Sequence, residues 1–427
     1  MATDRPAQAA ARPPLFWTGF GPGLLWAAAA IGVSHLVQST RAGADAGFAL
    51  SGVILLALVL KYPFFEYGPR YAAATGESLI EGYRRVGRWA VWLYLVITLS
   101  TALIIQSAVV LFTSFLFQAA FRIRLPLPAI TALLIVACAV LLLLGRFGML
   151  DRSIKIVLAL LGISTLLAAA LVAPRADLGT LALWPPPSAA VPLAFILALA
   201  GWMPSAIDLA AWSSVWTLAK DRESGVRTSV AHALLDFRIG YAGTGVLAFA
   251  FLLLGAGVMH GSGASFSGAG TQFSLQLVDL YSQTLGTWTR PVVLVAVVTT
   301  MFSTALTVID GFPRAIARTF AVVRAAGAPV PVEADTGAVY GLSGAVLGVL
   351  TVVVVALFAG NLTTMVDFAT IVSFLTGPIL GYLNLRAVLG ANVPGEHRPG
   401  RALVALSYAG LVLLGGTAVV YAGSLMS

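Results

Sequence analysis

The chain has 427 residues, of which 59% are hydrophobic and 10% charged, where a soluble domain carries about 25% charged residues. That composition excludes a soluble globular enzyme and implies a chain whose solvent is mostly lipid. The net charge of +8 does not indicate nucleic acid, because the basic residues are scattered between apolar runs instead of gathered in an aromatic-interleaved patch.

Residues 1–20 are polar and proline-rich. No apolar stretch follows directly on a basic start, so no cleavable signal peptide is expected, and the segment is read as a cytoplasmic N-terminus. A hydrocarbon core about 30 Å thick needs roughly 20 apolar residues per helix. Apolar runs between charged or Gly/Pro punctuation predict spans at 21–40, 47–66, 89–117, 126–145 and 153–173, a first five-helix set within 21–175. After a proline-rich stretch at 184–187, spans at 191–217, 239–260, 290–311, 338–360 and 365–388 form a second set within 190–388, and 402–424 makes an eleventh. Cys138, the single cysteine, lies in one of these apolar runs and excludes an intrachain disulfide.

With the N-terminus inside, twenty of the 25 Lys and Arg residues, Lys61 among them, fall on inner ends and loops; the five outside are Arg41, Arg122, Arg124, Arg175 and Arg290. Cytoplasmic loops are enriched in such residues, so this asymmetry supports eleven spans, an inside N-terminus and an outside C-terminus. The expected location is the plasma membrane, which in a bacterium is the cytoplasmic (inner) membrane.

Two spans carry sequences that interrupt a helix at mid-membrane, which is tolerated only where the backbone lines a cavity or lies against protein. In span 1 the segment is Gly32-Val33-Ser34-His35; in span 6 it is Gly201-Trp202-Met203-Pro204-Ser205, where proline removes a backbone donor. The two helices are five spans apart, an odd number, so a five-helix repeat would be inverted across the membrane. Secondary transporters built this way bind substrate and ions where the two broken helices meet. The structural alternative is a proline kink in one span and a packing glycine in the other.

Beyond these breaks, Gly21-Pro22-Gly23, Ala42-Gly43-Ala44 followed by Gly47-Phe48-Ala49-Leu50, and Ala74-Thr75-Gly76-Glu77-Ser78-Leu79 resemble the Nramp family of divalent-metal transporters. The resemblance continues more weakly through Met203-Pro204 and covers the helical pattern of nearly the whole chain. It implies an all-α integral membrane fold of the LeuT type, a 5+5 inverted repeat with broken helices 1 and 6 plus one extra helix, within the amino acid, polyamine and organocation superfamily. It also implies proton-coupled import, with an Asp-Pro-Gly-Asn break in span 1 and a methionine sulfur from span 6 on the metal. Here the span 1 break has no carboxylate, and His35 stands at the asparagine place. Met203 matches the family methionine, but Ser205 stands where the family has histidine. Neither an acid at 93–116 in span 3 nor an arginine at 340–357 in span 9 is present, although the family's proton route uses charged residues in those helices.

A doubly charged cation must exchange its hydration for strong oxygen ligands, whereas imidazole and thioether suit softer metals. The candidate substrate-binding residues are Gly32, Ser34, His35, Gln38, Trp202, Met203 and Ser205, with His35 and Met203 as the candidate metal ligands. Each has a structural alternative: His35, Gln38 and Ser39 as interhelical hydrogen-bonding groups, Trp202 as packing. Asp208, three residues past Ser205, is a candidate coupling or gating acid, as are Asp236 and Asp310. Asp310 follows Ser303, Thr304 and Thr307 at helical spacing, which points to a sodium or proton site, while its distance to Arg314 favours an ion pair. Glu66 and Arg70 form a second such pair.

No nucleotide motif, zinc-binding HExxH pattern or nucleophile–base pair is found, so neither an ATP-driven pump, an enzyme nor a cofactor is expected. The reading is an alternating-access secondary transporter, a monomer or weak homo-oligomer, for a small polar organic solute instead of manganese or iron by the family's usual route, coupled to protons or sodium or uncoupled. The alternatives are a metal-cation transporter using His35 and Met203, and a membrane sensor without flux.

Overall fold

The computed structural model describes residues 22–144, 147–176, 179, 181–263, 265–358 and 360–425. The predicted cytoplasmic segment 1–20 and Arg146 lie outside the described residues. Among the described residues every regular element is helical. Span 1 consists of α1 (Pro22–Ala30), a π-helical segment (Ser34–Ser39) and α2 (Thr40–Ala46). Then come α3 (Ser51–Thr75), a short α4 (Leu79–Val86), α5 (Arg88–Phe121), α6 (Leu127–Leu143) and α7 (Phe147–Val172). Span 6 is divided into α8 (Leu193–Gly201) and α9 (Asp208–Ser224). The chain continues through α10 (Val230–Val258), α11 (Gly270–Leu285), α12 (Arg290–Ala325), α13 (Ala338–Phe358), α14 (Leu362–Val388) and α15 (Arg401–Ser424).

Each predicted segment overlaps one helix, or one interrupted helix, among the described residues. Among the described residues, seven helices are long and apolar enough by themselves to cross a membrane, and two shorter apolar helices accompany them. Three differences from the sequence reading have physical causes. Helix α3 runs nine residues beyond the predicted 66, because Glu66 and Arg70 pair one turn apart and Tyr67 and Tyr71 on the extension are fully buried. Helix α4 starts at a capping box in which Ser78 and Glu81 satisfy each other's backbone ends. Helix α11 buries Phe273, Leu277, Leu280 and Tyr281 as one stripe, and its polar opposite face keeps it from reading as a span.

The breaks lie at the centre of the bundle. Helix α10 packs on α1, α2 and α3, α12 on α5 and α7, α14 on α5 and α8, and α9 on α3. Of the most apolar stretch of α3, 78% is buried, against 22% for α13 and for α15, which therefore form the periphery. Their outer faces carry Leu342, Val349, Leu357, Val412 and Val419 to the surface, as helices solvated by lipid tails should. The centre stays dense because backbones cross closely. A Cβ on Gly43 would lie 2.0 Å from the Leu252 carbonyl oxygen, and one on Gly255 would lie 2.1 Å from that of Thr40. Small residues permit such crossings where no hydrophobic force drives helices together in lipid.

Gly43→Val or Gly255→Val is therefore expected to lower stability by about 3 kcal/mol, since neither neighbour can yield. Gly243→Ala, with nothing within 4 Å of the added atom, should leave stability unchanged or raise it by up to about 1 kcal/mol. Thermal melts of the detergent-purified protein compare the three.

Candidate functional site

In span 1 the regular helix stops at Ala30, and the Gly32 carbonyl accepts from the amides of both His35 (3.1 Å) and Leu36 (2.9 Å). The carbonyls of Ser34 and His35 also accept from the Ser39 and Thr40 hydroxyls, at 3.4 and 3.2 Å. Short hydroxyls thus add a second donor to carbonyls of the π-helical segment. Thr304 of α12 fits against the break because Gly32 has no side chain there: a Cβ would approach the Thr304 methyl to 2.8 Å. The Thr304 hydroxyl lies 3.4 Å from the Ala28 carbonyl oxygen and 3.3 Å from that of Ile31. Among the described residues, the neighbouring hydroxyls of Thr300 and Ser303 have no partner. The Thr304 hydroxyl thus meets two span 1 carbonyl oxygens at the seam with α12.

In span 6 the helix stops at Gly201 and resumes at Asp208, and the Met203–Pro204 peptide is cis. The interruption leaves carbonyls without helical donors. One side chain meets them: the Lys61 ammonium of α3 donates to Gly201 (2.9 Å) and Ser205 (2.7 Å), and also to Ala200 (3.1 Å), whose carbonyl accepts from the Met203 amide as well. Lys61 is 3% exposed. The sequence reading placed it with the inner-end charges; the helix carries it inward to the break, where carbonyl dipoles solvate it in place of water.

Between the two breaks is a cavity of about 40 Å³, room for roughly three ordered waters. Val33 and Ser34 line it from span 1, Ile105 and Val109 from α5, Trp202, Ser205, Asp208 and Trp212 from span 6, and Thr304 and Phe312 from α12. Asp208 is the first residue of α9, where the helix dipole favours an anion. Its Oδ1 is buried and has no hydrogen-bond partner among the described residues. A carboxylate in this position costs about 3 kcal/mol at the centre of a membrane helix unless something pairs with it. The walls are otherwise apolar and aromatic, with the hydroxyls of Ser34, Ser205 and Thr304 and the indole N–H groups of Trp202, which donates to Ser373, and Trp212, which has no partner among the described residues, as further polar groups on the lining residues.

Ser34, Trp202, Ser205 and Asp208 thus meet at one cavity, with Gly32 against Thr304 at its edge. His35, Gln38 and Met203 are not among its lining residues. The His35 ring is fully buried and engaged at both nitrogens. Nε2 lies 2.9 Å from the Thr244 carbonyl oxygen, which can only accept, so the proton is assigned to Nε2. Nδ1 lies 2.8 Å from the Ser34 hydroxyl. Gln38 donates to Asp367 (3.0 Å) and accepts from Arg41 (3.1 Å), and Arg41 forms a two-pronged ion pair with Asp367 at 2.8 and 3.3 Å. This group ties the end of span 1 to α14. Met203 is wholly buried.

The remaining acids lie toward the other end of the bundle. Asp236 of α10 accepts from the Gly23 amide at 2.7 Å, at the beginning of α1. One turn along α1, Trp26 packs edge-on to Phe65 and Phe237 and stacks on Tyr241. Asp310 is paired with Arg314 at 2.7 Å and accepts from the Tyr340 hydroxyl at 2.8 Å. Glu66 is paired with Arg70 at 2.5 Å, and Arg238 approaches it to 3.5 Å.

Lys61, Asp367 and Trp212 are central to this arrangement and were not singled out as site residues from the sequence. Lys61 carried a usable signal, since an ionisable side chain within an apolar span is functional by default; proximity to the charged residues at 66–70 concealed it. Asp367 and Trp212 carried none, because their partners are distant in sequence.

The chain matches the family model described as natural resistance-associated macrophage protein-like (Nramp) over residues 23–422. It is 34% identical to the uncharacterized protein PM0681 of Pasteurella multocida (strain Pm70) over 402 residues, 93% of this chain and 90% of that protein. Among solved structures it resembles a mutant of the Eremococcus coleocola manganese transporter, with a TM-score of 0.67 at 16% identity, covering 96% of this chain and 88% of that one. It also resembles MhsT in complex with L-phenylalanine, with a TM-score of 0.60 at 16% identity, covering 96% and 97%. At such identities the likeness shows the fold alone, and the fold is the LeuT type that the family resemblance implies. The chain belongs to the Nramp family and is an integral membrane transporter, not an enzyme.

Proposed function

We propose that this protein is a secondary transporter that carries a small polar organic solute, with a hydrogen-bond-donating or ammonium end, through the cavity between spans 1, 3, 6 and 8. The observation that carries the reading is the Asp208 carboxylate, which lines the cavity with one oxygen lacking any partner among the described residues. A solute's N–H group would supply that partner, and Trp202, Trp212 and Phe312 would cover its apolar part. The Ser34 and Ser205 hydroxyls add neutral polar contacts, which fix orientation in otherwise apolar sites.

A divalent metal fits this site less well. Among the described residues there is no group of three or more His, Cys, Asp or Glu side chains placed to hold a metal ion. His35 spends both ring nitrogens on Ser34 and Thr244, and the Met203 sulfur does not line the cavity. One carboxylate and three hydroxyls are a weak exchange for the hydration of a doubly charged ion. For coupling, the oxygens of Ala28, Ile31 and Thr304, with the Ser303 and Thr300 hydroxyls, make a sodium site the best supported reading. Alternating access is supported by closures at both ends of the cavity: Arg41–Asp367–Gln38 at the predicted outer end, and Asp236 on the Gly23 amide with the Trp26 cluster at the predicted inner end. On the predicted orientation the N-terminus is inside a plasma membrane, and solute would enter past Arg41.

Three measurements check this. In liposomes, uptake of a panel of amino acids, amines and other small polar solutes is compared with that of manganese, zinc and magnesium. Saturable flux of an organic solute is expected, reduced at least tenfold by Asp208→Asn, which corresponds to about 1.4 kcal/mol or more of lost pairing. Saturable manganese flux with no organic flux would overturn the reading. Thr304→Val should remove a sodium dependence of that flux, and flux indifferent to sodium in the parent protein sinks the coupling site. For the outer closure, Ser34→Cys is introduced beside the native buried Cys138. Adding Arg41→Ala should speed its modification by a water-soluble thiol reagent by about five- to tenfold, the yield of a partly buried ion pair; an unchanged rate counts against a lock there.

A further inference from the structure

We propose that the break in span 6 is a monovalent-cation site whose resident cation is the protein's own Lys61 ammonium, so that no ion from solution is required there. An ammonium has three donors and no acceptor. Lys61 spends all three on carbonyl oxygens, at 3.1, 2.9 and 2.7 Å. Two of these, Ala200 and Gly201, end α8 on one side of the break, and Ser205 precedes α9 on the other. The carbonyl end of a half-helix is the negative end of its dipole, and unwound carbonyls beside it are how broken membrane helices hold cations.

The charge arrangement separates this from an ordinary buried ion pair. Among the described residues no carboxylate pairs with Lys61; Glu66, the next acid on α3, is occupied by Arg70, Arg238 and the Tyr62 hydroxyl. The ring of Phe65 lies 5.7 Å from the ammonium. Lys61 is thus solvated by carbonyl oxygens alone, as a potassium or ammonium ion is in a carbonyl-lined filter. The site is distinct from the cavity: neither Lys61, Ala200 nor Gly201 lines it. Ser205 connects the two, turning its carbonyl to Lys61 while its residue borders the cavity. The ammonium tethered to α3 therefore fixes the shape of the substrate-side loop, as a bound ion would, but without dissociating.

Replacing Lys61 with an uncharged residue should leave an oxygen cage that binds a free cation of ammonium's size. Full-length Lys61→Met is purified beside the parent protein, and both are melted in potassium, ammonium and N-methylglucamine chlorides at equal ionic strength. The parent should melt at one temperature in all three salts. The variant should melt about 5 °C lower in N-methylglucamine and regain about 3 °C, saturably, in potassium or ammonium. An equal rise in both proteins, or a variant insensitive to the cation, overturns the proposal and leaves Lys61 a structural fastener. If Lys61→Met does not accumulate, Lys61→Gln is put through the same series, and the absence of a cation-dependent rise in it overturns the proposal equally. What is read is the variant's gain over the parent, so any binding of ammonium or N-methylglucamine in the cavity, which Lys61 does not line, is common to both proteins and subtracts.

Discussion

Backbone groups inside a bilayer have no water to turn to, and a helix that stops at mid-membrane must find them protein partners. In this chain the freed carbonyls of Gly201 and Ser205 are met by Lys61, which also reaches that of Ala200, and the carbonyls of Ser34 and His35 gain the hydroxyls of Ser39 and Thr40. With the breaks stabilised in this way, the remaining features follow. Ser34, Ser205 and Asp208 are presented to one cavity because the helices that carry them no longer continue past it. The dense crossings at Gly43 and Gly255 hold α2 and α10 together, and so keep the half-helix beyond the break in position.

The family relationship and the site chemistry bear on different questions. The family supplies the fold, the pair of broken helices and the general activity of transport. The cavity has a different charge from what a hard divalent cation requires, with one carboxylate, at the beginning of α9, and none in the span 1 break. His35, which stands at the place of a family ligand, instead joins span 1 to α10 through Thr244.

The closures at the two ends are built differently. At the predicted outer end a bidentate ion pair with a glutamine brace joins span 1 to α14, over a short lever. At the inner end the first amide of α1 is bound by Asp236, and an aromatic cluster covers Trp26. Opening the first costs mainly electrostatics in a partly wet place; opening the second exposes apolar rings and frees a helix N-terminus. The small cavity between them, with both ends closed, is what an occluded arrangement requires.

Much of this was legible from the sequence. Runs of about 20 apolar residues give the spans, because the thickness of a bilayer fixes helix length, and Gly32 and Met203-Pro204 mark the breaks, because glycine is a weak helix former and proline has no amide hydrogen to donate. Ser34, Trp202, Ser205 and Asp208 were identifiable for the same local reason: they adjoin a break. What tertiary structure alone decided is where each polar group points and what it spends its hydrogen bonds on. His35 and Gln38 sit beside the same break, yet they turn toward Thr244 and Asp367, partners more than 200 residues away. Lys61 looked like an interfacial charge on a helix end and proved to be the cation at the centre of span 6, since a carbonyl cage consists of backbone, and backbone has no letter in the sequence.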